Sequence, residues 1–520
     1  MGIDEAVGRR TFLQRAGLVA TLAAGGGLVP LLDACSTTNT ATTTSSAPVK
    51  GGKAVFAMEI APVNMDPADA QLYASMQVYQ NIFHKLINVD SNFKFIPGLA
   101  TKWVQDDPLT WTLDLVDNAV FHNGEPFTAN DVKFTFDRVR DHPNGIFYSA
   151  WKETEVLGPH KVRFHLSQPY GAFEASLAGF GDIVNEKAVK GADPRLNPVG
   201  TGPYKMAEWV QGDHVKLVRW DKFFKPDRPY LDEITFKAIV DDSVRLTSLQ
   251  TGEVDFIESI PRQRVTELLS SNTIKSSASK PYLPSIILFN CSKPPFNDVR
   301  VRQAVAWAID RVELVKLVWF GQAVTATEAV SQPNPWYSGQ DPYQGGPDPA
   351  RSKSLLKQAG QEGLKITFAG TAGVSYGGKT AEVLKSQLAK AGIQMDIQNY
   401  EPAQWFEQLA TKKYDLTTTY WSASMDPAHM YFPLGYSKSP WNFGGISSSK
   451  IDDVLTKFVL NGDQQQRKAA YPDVVRTVAE EAPFIFIYNQ FLRYWTKPKL
   501  SGPAPIPSLE VRAEDVWLSR

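Results

Sequence analysis

Apolar and polar residues alternate along several short stretches of the chain. In "TWTLDLV", Trp111, Leu113 and Leu115 fall on one face and Thr110, Thr112 and Asp114 on the other, which is the period of a half-buried strand. "KVRFHL" (161–166) repeats the pattern. Apolar runs bounded by turn residues predict further strands at "GKAVFAME" (52–59), "VDFIE" (254–258), "SIILFN" (285–290), "LKITFAG" (364–370), "IQMDIQ" (393–398), "YDLTTTYW" (414–421) and "EEAPFIFIYNQ" (480–490).

Helical spacing takes over between them. "SMQVYQNIFHKL" (75–86) reads as a helix. Thr128 reads as an N-cap, with Asp131 three residues on as a capping-box variant and Phe127 placed to staple onto Val132. A helix over 244–250 is closed by Gly252, and in 297–318 the residues Val301, Ala304, Val305, Ala308 and Ile309 share one face. "KTAEVLKSQLAKAG" ends on Gly392 as a C-cap. His122-Asn123-Gly124 marks a turn, and "NPVGTGPYKMAEW" (197–209) a Gly/Pro-punctuated loop entering "DHVKLVRW". Strands alternating with helices predict an α/β fold with mixed sheets.

The N-terminus follows a different pattern. Arg9-Arg10-Thr11-Phe12-Leu13 precedes a Gly- and Ala-rich, moderately apolar run ending at Leu32-Asp33-Ala34-Cys35. Paired arginines before such a run match a twin-arginine export signal. A membrane anchor needs about 20 strongly apolar residues, and Gly25, Gly26, Gly27 and Pro30 dilute this stretch. Leu32 and Ala34 around Cys35 resemble a lipobox, with Asp33 departing from the usual small residue. Residues 1–35 therefore read as a lipoprotein-type signal, and the Ser/Thr-rich 36–51 as a tether too poor in apolar residues to fold.

Composition narrows the function. With 54 basic and 55 acidic residues and no Lys/Arg block, nucleic acid is not an expected partner. Aromatics at 11%, with 13 Trp, point to rings lining a site for a small polar solute. The only other cysteine, Cys291, follows an apolar run and reads as a buried, inert thiol. The histidines show no ligand-like spacing, so neither metal nor cofactor is expected.

One stretch advertises chemistry. "GVSYGGKT" (373–380) satisfies both G-x-x-x-x-G-K-T, a phosphate loop, and G-x-S-x-G, a nucleophile elbow. A phosphate loop also needs an acid after an apolar strand, and neither "IQMDI" nor "YDLTTT" serves well. An elbow serine at Ser375 needs a downstream acid and then a histidine, and only His429, close behind Asp426, follows. The stretch reads instead as a flexible surface loop, leaving an ATP-binding protein and a serine hydrolase as alternatives of another class.

"FIPGLATKWVQDDPLTWTLDLVDNAVFHNGEPFTANDVKFTFDRV" (95–139) resembles the signature region of extracytoplasmic solute-binding proteins of family 5, the peptide and nickel type. "NPVGTGPYKMAEW", "LTSLQTGEVDF", "PFNDVRVRQAVAWAID" and "EEAPFIFIYN" follow in the family's order. The resemblance implies a two-lobed periplasmic-binding-protein-like fold with the ligand enclosed between lobes. Lobe I would span 52–281 and be completed by 491–520, and lobe II would span 282–490. It also implies a monomer that takes no cofactor, is not an enzyme, and delivers a small solute to the permease of an ABC importer.

The same resemblance nominates site residues. Peptide-binding members carry Trp-x-x-Asp, the acid pairing with the ligand's ammonium. Here Trp421 is followed at that spacing by Ser424, with Asp426 two residues further as a substitute acid or a turn cap before Pro427. A serine hydrogen-bonds an ammonium without neutralising it, so an oligosaccharide or other non-peptide solute stays open beside peptides. Tyr488 and Asn489 near the second crossover, Asn290 near the first, Tyr148 and Met65 complete the candidates.

Overall fold

The computed structural model describes residues 47–69, 73–371, 375–421, 425–502, 505–506 and 511–519. The export signal, Cys35 and Ser424 lie outside the described residues.

The strand readings fall into three larger sheets. Lys53–Met58 lies between Glu233–Ala238 and Phe256–Ile257, parallel to both. Antiparallel neighbours extend it to seven strands in the order Lys275–Ala278, Arg493–Thr496, Phe256–Ile257, Lys53–Met58, Glu233–Ala238, His214–Arg219, Tyr204–Val210. A six-stranded sheet runs Ala323–Thr325, Phe484–Gln490, Leu283–Phe289, Leu416–Tyr420, Lys365–Thr371, Gln394–Tyr400, parallel only around Lys365–Thr371. The alternating segments Thr110–Leu115 and Lys161–Leu166 pair with each other in a four-stranded antiparallel sheet flanked by Ala100–Asp107 and Trp151–Gly158.

The chain crosses between the seven- and six-stranded sheets twice. It leaves the seven-stranded sheet after Lys275–Ala278, enters the six-stranded one at Leu283–Phe289, and returns between Phe484–Gln490 and Arg493–Thr496. Both passages are short and start or finish beside one another, because Leu283 pairs with Gln490.

Several helix signals act as read. Thr128 caps Ala129–Val139 with both halves of the capping box, and Gly252 closes Asp242–Thr251 at φ +87°, a left-handed angle open to glycine at little cost. Others differ. The helix expected over 75–86 stops at Tyr79. Beyond it the Asn81 side chain bonds the carbonyls of Gln77 and Val511, and Ile87–Val89 pairs as a strand with Phe95–Pro97. Tertiary partners there outweigh helical periodicity. The periodic run 297–318 is two helices, Val299–Ala308 and Arg311–Trp319, because Asp310 caps the second by accepting from the Glu313 N–H. The expected loop over 197–209 is half strand, Tyr204–Val210 forming a hairpin with His214–Arg219.

One buried cluster lies under the seven-stranded sheet around Phe56, Tyr79, Phe236 and Tyr494. The largest runs from the four-stranded sheet, through Phe136, Phe164 and Phe173, into the six-stranded sheet and its helices. At that junction Gly171 packs against Arg467: a Cβ there would fall 2.2 Å from Arg467 Cδ and 2.4 Å from the Asn461 oxygen.

Candidate functional site

Lys53–Met58 and Phe256–Ile257 are parallel neighbours with Ala57 opposite Ile257. Their register carries the next residues, Glu59 and Glu258, out at the same end of the sheet. This end of the sheet, the two passages and the ends of Leu283–Phe289 and Leu416–Tyr420 border a partly open cavity of about 170 Å³. A water takes roughly 10–15 Å³ on that measure, so the space suits a residue or two of a peptide. Glu59, Arg245 and Glu258 line it from one side, and Leu283, Tyr420 and Gln490 from the other. Trp319, Arg262 and Arg493 complete the wall.

Burial, then the neighbouring Glu59 carboxylate, push the Glu258 carboxyl up to about 7, against the pull of Arg245 and of hydrogen bonds from the Glu59 N–H and Gln77. The Tyr73 hydroxyl faces Glu258 and is held well above the phenol range, chiefly by burial. Arg245 donates to the carbonyls of Ile239 and Val240 at 2.6 and 2.7 Å, to Ser259 at 2.7 Å and to Glu59 at 3.4 Å. The Arg262 guanidinium stacks 3.3 Å over the Trp319 ring. Arg493 donates to Ser276 and Gln322.

The residues nominated from sequence are scattered around this cavity. Trp421 follows the cavity-lining Tyr420, half-buried, its indole N–H donating to the His429 carbonyl at 3.1 Å and its ring edge-on to Trp441 at 5.5 Å. It heads an aromatic array through Trp441, Phe147, Phe180 and His429 that joins the six-stranded sheet to the four-stranded one. Tyr488 stands one ring behind the wall, edge-on to Trp319 at 5.4 Å, with its hydroxyl 3.1 Å from Thr380. Asn489 is buried and donates to Ser331.

Four nominations lie away from this cavity or are held by other partners. Asp426 is not free for an ammonium: its carboxylate is held by both Arg467 Nη atoms at 2.7 and 2.8 Å, with the pair enclosed. Asn290 lies at the far end of Leu283–Phe289 from the crossover, and its amide is engaged by Lys412, Tyr414 and Ser292. Tyr148 is core, donating to the Ser176 carbonyl, and Met65 is wholly buried under the seven-stranded sheet. In each case the local sequence marked a residue near a loop, while packing turned it inward.

The "GVSYGGKT" reading is corrected. The helix Ser375–Lys390 begins inside the stretch expected as a loop, and 372–374 lie outside the described residues. Gly377 and Gly378 are inside that helix, Lys379 reaches Glu382, and Thr380 is buried. Cys291 is buried, and burial pushes its thiol up to about 11.

Sequence reasoning missed Glu59, Arg245, Glu258, Arg262 and Trp319. A signal existed for the two acids: each is a charged residue at the end of an apolar strand, "VFAME" and "VDFIE".

Two sheets joined by paired passages, with a charged cavity between them, define a two-lobed α/β binding protein. Residues 94–443 match the family described as bacterial extracellular solute-binding proteins, family 5 Middle, and the chain belongs to it. It is 28% identical over 501 residues to the glutathione-binding protein GsiB of Pectobacterium atrosepticum, covering 91% of this chain and 96% of that one. The GsiB of Salmonella typhi is 30% identical over 441 residues, covering 81% and 86%. The periplasmic binding protein DppA of Helicobacter pylori, solved with the peptide STSA, superposes with a TM-score of 0.82 at 26% identity, over 91% of this chain and 99% of that one. The chain is thus the substrate-binding component of an ABC importer rather than an enzyme, and works with a membrane permease.

Proposed function

We propose that the imported solute is a short peptide or peptide-like molecule held in the cavity between the two larger sheets. The observation that carries this reading is the cavity lining: carboxylates and guanidiniums from the side of the seven-stranded sheet face uncharged Leu283, Tyr420 and Gln490 of the six-stranded one. A zwitterion engages both signs of charge, whereas a neutral sugar engages neither. The names of the relatives support the same class. Trp421 forms an apolar wall beside this cavity, and Ser424 stands where peptide-binding members carry an acid.

The division into lobe I (52–281 with 491–520) and lobe II (282–490) is supported by the two passages between the seven- and six-stranded sheets. Ligand bridging both lobes favours the closed arrangement. We further propose that the protein acts as a monomer without nucleic acid, is exported through Arg9 and Arg10, and is anchored by acylated Cys35.

The test is thermal stabilisation of the purified chain by a tripeptide pool against a glycan pool. Stabilisation follows RT ln(1 + [L]/Kd), about 2.7 kcal/mol at a hundredfold excess. A response to glycans alone would refute the peptide reading.

A further inference from the structure

The charges around the cavity are unevenly matched. Glu59 and Glu258 leave adjacent parallel strands together, and one guanidinium, Arg245, serves both. Most of its N–H groups already go to carbonyls and to Ser259. Its Nε–H, although Arg245 is only 2% exposed, meets no acceptor among the described residues. Gln77, 1% exposed, donates to Glu258 while its own Oε1 is without a partner there. With both carboxylates ionised, two negative charges share the single cation Arg245 on this wall. Arg262 and Arg493, on the part of the lining around Trp319 and Gln322, carry positive charge.

We propose that Glu59 and Glu258 together seat the primary ammonium of a bound peptide, with Arg262 and Arg493 toward its carboxylate. The inference rests on the reading that the cavity takes the imported solute, and supplies from lobe I the acid that Ser424 does not provide in lobe II. An ammonium brings three donors to a site with acceptor capacity to spare, and charge-assisted bonds are roughly twice as strong as neutral ones.

A proton accompanies the event. Glu258 sits at about 7, raised by burial and by Glu59, with Arg245 opposing and Tyr73 facing it; Asp242, Arg262 and Arg493 share the cavity. An arriving ammonium favours the carboxylate, so Glu258 releases its proton to solvent while the ligand keeps its own. Affinity therefore rises as pH rises through about 7, until the α-amino group itself deprotonates near 7.7–8.0.

The experiment measures retention of a randomised tripeptide pool, free or N-acetylated, by mass spectrometry after ultrafiltration, at about pH 6 and about pH 7.5. The full mature chain is compared with Glu258→Gln and Glu59→Gln. The wild type should retain free peptides over acetylated ones by about tenfold or more, and about fivefold better at the higher pH. Glu258→Gln should lose the pH dependence and most of the preference. Equal retention of acetylated peptides by the wild type overturns the ammonium seat while leaving the peptide reading standing, and it does not depend on any variant folding. A folded Glu258→Gln that keeps the wild-type preference and pH dependence overturns it too. Retention of no peptide at all removes both readings.

Discussion

Replacing Asp426 with asparagine takes the charge from one half of an enclosed ion pair. The Arg467 side chain is 0% exposed and Asp426 4%. Two N–H groups of Arg467 reach the carboxylate at 2.7 and 2.8 Å, its Nε donates to the Phe458 carbonyl, and its guanidinium lies over the Trp336 and Phe458 rings. Breaking such a pair leaves a buried cation uncompensated and costs about 3–5 kcal/mol. Unfolding entropy near 2.1 cal/mol/K per residue over roughly 470 folded residues gives about 1 kcal/mol per degree. The unfolding temperature of the ligand-free protein should therefore fall by about 3–5 °C in scanning calorimetry. Peptide affinity, measured in parallel by titration calorimetry, should change little for the fraction that remains folded. A double change to Asp426→Leu and Arg467→Met should be milder than the single one, since it leaves no lone charge. An unfolding temperature within about 1 °C of wild type, together with a large loss of peptide affinity, would refute the reasoning and return Asp426 to the ligand.

Trp421→Ala should weaken binding by about 2 kcal/mol or more if the ring anchors the ligand, read by titration calorimetry; unchanged affinity would remove it from the site. Gly171→Ala should destabilise by about 1–3 kcal/mol, since the added methyl meets the Asn461 carbonyl as well as Arg467; chemical denaturation reads it. His122 and His429 are each pushed down to about 4 by burial, so their contribution is present above about 6.5 and is lost as pH falls toward 4. Glu258, raised to about 7, works oppositely, contributing more as pH falls from there toward its unfolded value. Glu258→Gln should therefore lose thermal stability more steeply than wild type between about pH 7 and pH 5, and parallel curves would contradict the assignment. Replacing Arg9 and Arg10 together with lysine should block export, and Cys35→Ser should move the protein out of the membrane fraction on cell fractionation.

What the sequence determined by itself was the set of local elements and the family. Alternation in Thr110–Leu115 and Lys161–Leu166, the capping box at Thr128 and the glycine stop at Gly252 are decided within a few residues, so each was legible from spacing alone. The family followed because its landmarks stand in order along the chain. Where an element depended on distant partners the reading slipped, as at 75–86, where Asn81 bonds Val511 from the far end of the chain. The candidate site was harder to see for the same reason. Glu59 and Glu258 are separated by 199 residues, and only the parallel register of two strands brings their carboxylates together. Asp426 looked available because its partner, Arg467, lies 41 residues on; which acid keeps its charge for a ligand is settled by whether a buried guanidinium has already claimed it.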